Sequence, residues 1–244
     1  MAARVFVPEA SQTGEQLELP PEEAAHVSRV LRLRPGDPLR VFNGRGGEWA
    51  ATVTARTRAT VTVGLAEPVA SARETRVRYA VALAVLKGDG TDDAIRDAVM
   101  MGVSELRPFV SVRSDVAALA ALRGARLDRW TRVAASSAKQ CGRAVVPAIA
   151  EPVELETLAR APTPGLRLWL VEPAVARIPL ALADLAAPEA ATLAVGPEGG
   201  WAPEEVALAE REGWLLVGLG GRTLRATSAP LAALAACQAV WRDD

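Results

Sequence analysis

An apolar run that ends in a glycine-rich turn, passes into a helix and then repeats leaves a chain few architectures, and residues 191–231 do this twice. Ala191–Val195 is apolar and long enough for a buried strand. Gly196-Pro197-Glu198-Gly199-Gly200 is a glycine turn with an acid inside it. Pro203–Arg211 has helical spacing, with Val206 and Ala209 on one face and Leu208 beside them. Pro203 suits a first helical turn, where its missing N–H costs nothing, and Glu204 and Glu205 suit the positive helix end. Gly213 stops that helix, and Trp214–Leu219 is a second apolar run. Gly220-Gly221 then precedes Arg222-Thr223-Leu224-Arg225, and Thr227-Ser228-Ala229-Pro230 opens a last helix.

Strand, turn, helix, repeated, is an α/β pattern. In open α/β sheets ligands bind beyond the carboxyl ends of the strands, where both glycine turns fall. Glycine there lets a ligand press against bare backbone. Two familiar sites are excluded. A phosphate-cradling P-loop needs a lysine after its glycines, and none follows these. A dinucleotide fingerprint needs G-x-G-x-x-G and an acid about 20 residues on; Gly196–Gly200 has other spacing, and Leu215-Leu216-Val217 stand downstream.

Ala194-Val195-Gly196-Pro197-Glu198-Gly199-Gly200, followed by Leu219-Gly220-Gly221-Arg222-Thr223-Leu224-Arg225, resembles the RsmE family of ribosomal RNA methyltransferases, in the SPOUT superfamily. That family pairs a GPEGG turn with LG-x-R-x-LR before an Ala-rich final helix.

The rest of the chain bounds the reading. Its 244 residues suffice for one large or two modest domains, and with 50% hydrophobic residues a real core is expected. Net charge is −1, so any nucleic-acid contact must come from a local patch. The two cysteines, Cys141 and Cys237, form no disulfide framework, and no C-x-x-C or His cluster suggests a metal. The first residues do not read as a signal peptide, and no apolar run reaches membrane-spanning length. The expectation is a soluble cytoplasmic protein without metal or membrane association.

Residues 1–70 read as a small β-barrel with one helix. Strands are expected at Arg4–Val7, Leu39–Phe42, Glu48–Ala55 and Thr60–Leu65, and a helix at Pro21–Leu33 with Ala24, Val27 and Leu31 on one face. His26-Val27, Val30–Leu33, Gly36-Asp37, Val41–Gly44 and Gly46–Glu48 again resemble RsmE proteins, in which this region is a PUA-like RNA-binding module. The resemblance implies that Arg29, Arg32 and Arg45 line RNA phosphates; a solvated surface balanced by Glu22, Glu23 and Asp37 is the alternative.

Ala66–Glu74 lacks periodicity and is the expected linker, dividing a domain at 1–70 from one at 75–244. Val77–Leu86 is expected as a strand, Lys87–Gly90 as a turn, Thr91 as the cap of a helix Asp92–Met101, and Leu106–Val112 as a further strand. Lys87-Gly88-Asp89 matches the family's KGD, which places Lys87 near RNA or cofactor, against a reading as plain turn chemistry. Val112-Arg113-Ser114 stands where the family has Glu-Arg-Ser, and Arg113 is retained as a substrate contact. A helix is expected over Arg126–Gln140, and Ala138–Arg143 is similar to the family's A-x-Q-[SC]-G-R, which makes Gln140 and Arg143 candidates for RNA or interface contacts. A helix end favouring cations explains Lys139 and Arg143 equally well. Pro147–Pro164 reads as a connection with a weak helix at Glu154–Ala159, and Leu166–Val171 as a strand. The final helix, Ser228–Trp241, is apolar all round, which predicts burial against a second copy of the chain.

Taken together, the resemblance implies a C-terminal SPOUT-type α/β domain with a deep trefoil knot, a PUA-like β-barrel, a homodimer, and S-adenosylmethionine as methyl donor. The implied cofactor residues are Val171, Glu172, Gly196, Pro197, Glu198, Gly199, Gly200, Leu219, Gly220, Leu224, Arg225 and Thr227. The implied reaction is methylation of N3 of a uridine in 16S ribosomal RNA, with Arg225 stabilising charge on the uracil. Many relatives have Glu where this chain has Thr227, so no side-chain base is named. Two alternatives stay open: a non-catalytic RNA-binding or ribosome-assembly protein on the same scaffold, and a SPOUT ribose 2′-O-methyltransferase.

Overall fold

A computed structural model describes residues 3–115, 118, 120, 121, 126–173 and 182–242. The chain forms two compact units, residues 1–73 with 135–146, and residues 74–134 with 147–244. Residues 135–146 thus group with the N-terminal unit, although they fall within the expected domain at 75–244.

In the first unit β1 (Arg4–Phe6), β2 (Gln16–Glu18), β3 (Pro38–Phe42), β4 (Glu48–Arg56) and β5 (Val61–Pro68) form one sheet in the order β1-β3-β4-β5-β2. Only β1 and β3 run parallel; the remaining pairs are antiparallel, with register shifts in β4. Alternation along β4 and β5 sends Ala51, Val53, Val61, Val63 and Leu65 into the core with Val5, Val41 and Val27. β2, only three residues long, is not among the strands expected from the sequence. The helix α1 covers Pro21–Ala25, then widens into π-helical turns over His26–Leu31. It stops two residues before the expected Leu33, because Arg32 adopts a left-handed conformation at φ 56°. The Leu33 N–H then reaches back to the Val27 carbonyl at 3.1 Å, closing the end.

The second unit is built on a parallel sheet. Its strands are β6 (Arg78–Ala84), β7 (Glu105–Val110), β8 (Ala148–Ile149), β9 (Val153–Glu154), β10 (Leu166–Leu170), β11 (Ala190–Val195) and β12 (Leu215–Val217). The order is β12-β10-β11-β6-β7-β8, and β9 also pairs with β7. β11 and most of β6 are buried and apolar on both faces, as a parallel strand covered by helices requires. The helices are α2 (Gly90–Met100), α3 (Leu127–Cys141, shared with the first unit), α4 (Leu155–Arg160), α5 (Pro203–Arg211) and α6 (Ala229–Trp241).

Thr91 does not cap α2, contrary to expectation. The cap position is Asp89, and the Thr91 hydroxyl oxygen instead accepts the Leu86 N–H at 2.9 Å. The connection 147–164 contributes two short strands besides its helix. After β11 the chain passes through α5 to the far side of β10, where β12 pairs. Such a crossing leaves a crevice beyond the carboxyl ends of the strands it separates.

Candidate functional site

That crevice is a cavity of about 560 Å³. Three strand ends supply its walls: Leu170–Pro173 after β10, Val195–Trp201 after β11, and Leu219–Thr227 after β12, with Ala229 at the start of α6. Eleven of the twelve residues expected around a cofactor line it: Val171, Glu172, Gly196, Pro197, Glu198, Gly200, Leu219, Gly220, Leu224, Arg225 and Thr227. Gly199 is the exception. Its carbonyl accepts a bond from Arg113 at 2.9 Å, outside the cavity lining.

Two glycines are required by their surroundings. A Cβ at Gly196 would come within 2.9 Å of the Trp201 indole. Gly200 has φ +68°, and a Cβ there would meet the Glu172 carboxylate at 2.6 Å. Backbone at both positions is therefore bare by necessity, not by chance of composition. Gly220 and Gly221, in the other turn, border open space.

Trp201 was not among the expected site residues. Its Nε1 donates to the Leu170 carbonyl at 2.7 Å, and its ring lies 4.2 Å from that of Trp169 and 5.9 Å from that of Phe109. This aromatic stack ties β7, β10 and the glycine turn together. Leu170, Pro173, Val195, Arg222, Thr223, Ala226 and Ala229 were likewise not expected. Arg222 and Thr223 lay within the quoted motif, so their position was readable; Trp201 followed directly on the glycines but carried no pattern of its own.

Glu198 accepts the Lys87 backbone N–H at 3.0 Å, and Lys87 Nζ lies 3.7 Å from Asp115. The KGD turn is thereby fastened to the glycine turn. Thr227 packs on the same region: a Cβ at Gly90 would meet its methyl at 3.2 Å. Arg129 pairs with Asp92 and with Asp89, and both carboxylates raise its already high pKa. Arg225 and Arg222 bring exposed cations to the cavity, whose lining also carries the Glu172 and Glu198 carboxylates and no histidine. Among the described residues no cluster of His, Cys, Asp and Glu is arranged to hold a metal, and no helix is long and apolar enough to cross a membrane.

The expected RNA contacts divide by exposure. In the first unit Arg29, Arg32, Arg45 and Gln140 are exposed, and Arg45 donates to the Pro8 carbonyl at 2.7 Å. Arg143 is 3% exposed, unlike the others. In the second unit Lys87 and Arg113 are exposed.

A family profile described as RNA methyltransferase domain matches residues 73–238, and one described as RNA methyltransferase PUA domain matches residues 19–65. The ribosomal RNA small subunit methyltransferase E of Synechocystis sp. is 31% identical over 98% of this chain and 78% of its own. Among solved structures, a Legionella pneumophila protein in complex with bound SAM aligns with TM-score 0.89 and 30% identity, covering 98% of both chains. A ribosomal RNA small subunit methyltransferase E from Neisseria gonorrhoeae, bound to S-adenosyl methionine, aligns with TM-score 0.89 and 29% identity, covering 99% of this chain and 98% of that one.

Proposed function

We propose that this chain, which belongs to the ribosomal RNA small subunit methyltransferase E family of RNA methyltransferases, transfers a methyl group from S-adenosylmethionine to N3 of a uridine in small-subunit ribosomal RNA. The observation that carries this reading is the single cavity closed by two glycine turns distant in sequence. Its volume falls within the range of small-molecule sites, about 300–1,000 Å³. Its chemistry also suits the donor. Leu219 and Leu224 offer apolar faces to a flat ring, bare peptide groups at Gly196 and Gly220 can read a heterocycle's edge, and the Glu172 carboxylate suits a cationic or hydroxyl group.

When bound, the donor supplies an electrophilic methyl on a sulfonium, so the chain's work is alignment and charge management. Uracil N3–H is a weak acid. As its proton leaves, negative charge spreads to the two carbonyl oxygens, where Arg225 can stabilise it, by about 3 kcal/mol if it acts like an oxyanion donor. Arg225 stays protonated and is no base. Thr227 in the lining offers no basic group, and water or an RNA phosphate can accept the proton. N3 is a Watson–Crick edge atom, so the target base must be unpaired or turned out of its stack. Arg29, Arg32, Arg45, Lys87 and Gln140 supply exposed groups for the RNA. Family membership also supports a knotted path around β10–β12, a homodimer and action in the cytoplasm.

The test combines donor binding by calorimetry with nucleoside mapping of 16S ribosomal RNA from a strain lacking the gene. The expected result is 1:1 binding of S-adenosylmethionine and loss of one N3-methyluridine in the strain. An unchanged N3-methyluridine would rule out the uridine assignment; loss of a 2′-O-methyl group instead would favour ribose chemistry.

A further inference from the structure

A five-residue turn with three glycines has little stiffness of its own, yet it must hold one wall of the cavity. Its fastenings come from outside the cavity. Glu205, in the first turn of α5, is only 8% exposed. Its Oε1 accepts the Val112 N–H at 3.0 Å, and its Oε2 accepts the Ala202 N–H at 2.9 Å. A carboxylate accepting two amides makes charge-assisted bonds, stronger than neutral ones. Arg113 then reaches across to the turn itself, donating from Nη1 to the Gly199 carbonyl at 2.9 Å. Its stem also lies over that residue, since a Cβ on Gly199 would stand 3.2 Å from the Arg113 Cβ.

These bonds form a relay. Val112 and Arg113 follow β7 and line no part of the 560 Å³ cavity. Through Glu205, Val112 is tied to Ala202, the neighbour of Trp201, and Trp201 covers Gly196 and grips the Leu170 carbonyl. Through Arg113 they fix the Gly199 peptide, next to Gly200 in the wall. We propose that Glu205 and Arg113 are positioning residues for the methyl-donor site, and that Val112 and Arg113 together clamp the glycine turn in its binding-competent shape. This rests on the donor reading above. It assigns Arg113 to the donor side of the reaction rather than to direct RNA contact, and gives Glu205 a role beyond complementing the helix dipole.

A clamp and an RNA contact make opposite predictions. The experiment compares the full-length chain with Arg113→Ala, Arg113→Lys and Glu205→Gln. Amide exchange over residues 196–202 is followed without ligand, S-adenosylmethionine Kd by calorimetry, and KM for 16S ribosomal RNA in methyl transfer. Losing one hydrogen bond to a charged group corresponds to about tenfold in Kd. The expected result is faster exchange in the turn and donor Kd raised about tenfold in Arg113→Ala and Glu205→Gln. Arg113→Lys should recover part of the loss, since its ammonium can still donate one bond, and KM for RNA should stay unchanged. Should Glu205→Gln fail to fold, the two Arg113 variants decide alone. Unchanged exchange, or a raised RNA KM with donor Kd intact, would overturn the proposal. Failure of the unaltered chain to bind donor is a separate failure: it removes the donor reading, and this proposal with it, before any variant is made.

Discussion

Arg4 holds more of the first unit together than its place in a three-residue strand suggests. It donates to both oxygens of Glu48, at 3.0 and 2.8 Å, and to the carbonyls of Ala138, Lys139 and Arg143. The Glu48 side chain is 1% exposed, and Arg4 is its nearest cation, with Arg40 farther off at 3.7 Å. Replacing Arg4 by Ala removes both hydrogen bonds to a buried carboxylate, leaving it only the longer Arg40 contact, and frees three carbonyls. The expected loss is about 3–5 kcal/mol of stability, the usual consequence of breaking a buried pair from one side, read from the urea midpoint of the first unit's transition. Neither Arg4 nor Glu205 was legible in the sequence. Each bonds to residues far along the chain, and nothing local to a charged side chain announces a distant partner. Gly196 and Gly200 were legible because their motif carries the constraint with it.

At the scale of elements, α6 buries Pro230, Ala233, Leu234, Cys237 and Trp241, spaced as one helical stripe. Burial pushes the Cys237 thiol from its ordinary value near 9 up to about 12. The raised value means the folded state keeps a proton that the unfolded chain releases. The thiol's contribution is therefore whole below about pH 9 and is lost as pH rises toward about 12. Stability of the parent relative to Cys237→Ala should fall by about 1.4 kcal/mol per pH unit in that window, measured by urea unfolding at several pH values. A difference that stays flat above pH 9 would contradict it. Elements with strong periodicity or long apolar runs, such as β11 and α5, were readable nearly to their ends. β2, β8 and β9 were not, being two or three residues long and held by their sheet partners rather than by any pattern of their own. The early end of α1's continuation was missed because Arg32 adopts a left-handed backbone that usually belongs to glycine.

For the whole molecule, the apolar composition of α6 led to an expectation of burial all round, yet Leu231 is 37% and Val240 40% exposed in the single chain. The exposed side of α6 runs from Leu231 through Ala235 and Ala239 round to Val240, and a second copy covering it is the proposed arrangement. Light scattering at micromolar concentration should give twice the mass of 25.6 kDa, and Leu231→Glu with Val240→Glu should shift the protein toward monomer. A monomeric parent would remove this part of the proposal. Residues 135–146 carry a consequence for anyone cutting the gene. Because the N-terminal unit takes back a later piece of chain to satisfy Arg4, it is not a portable cassette. A fragment stopping at residue 73 would lack the carbonyls its own guanidinium was built to meet.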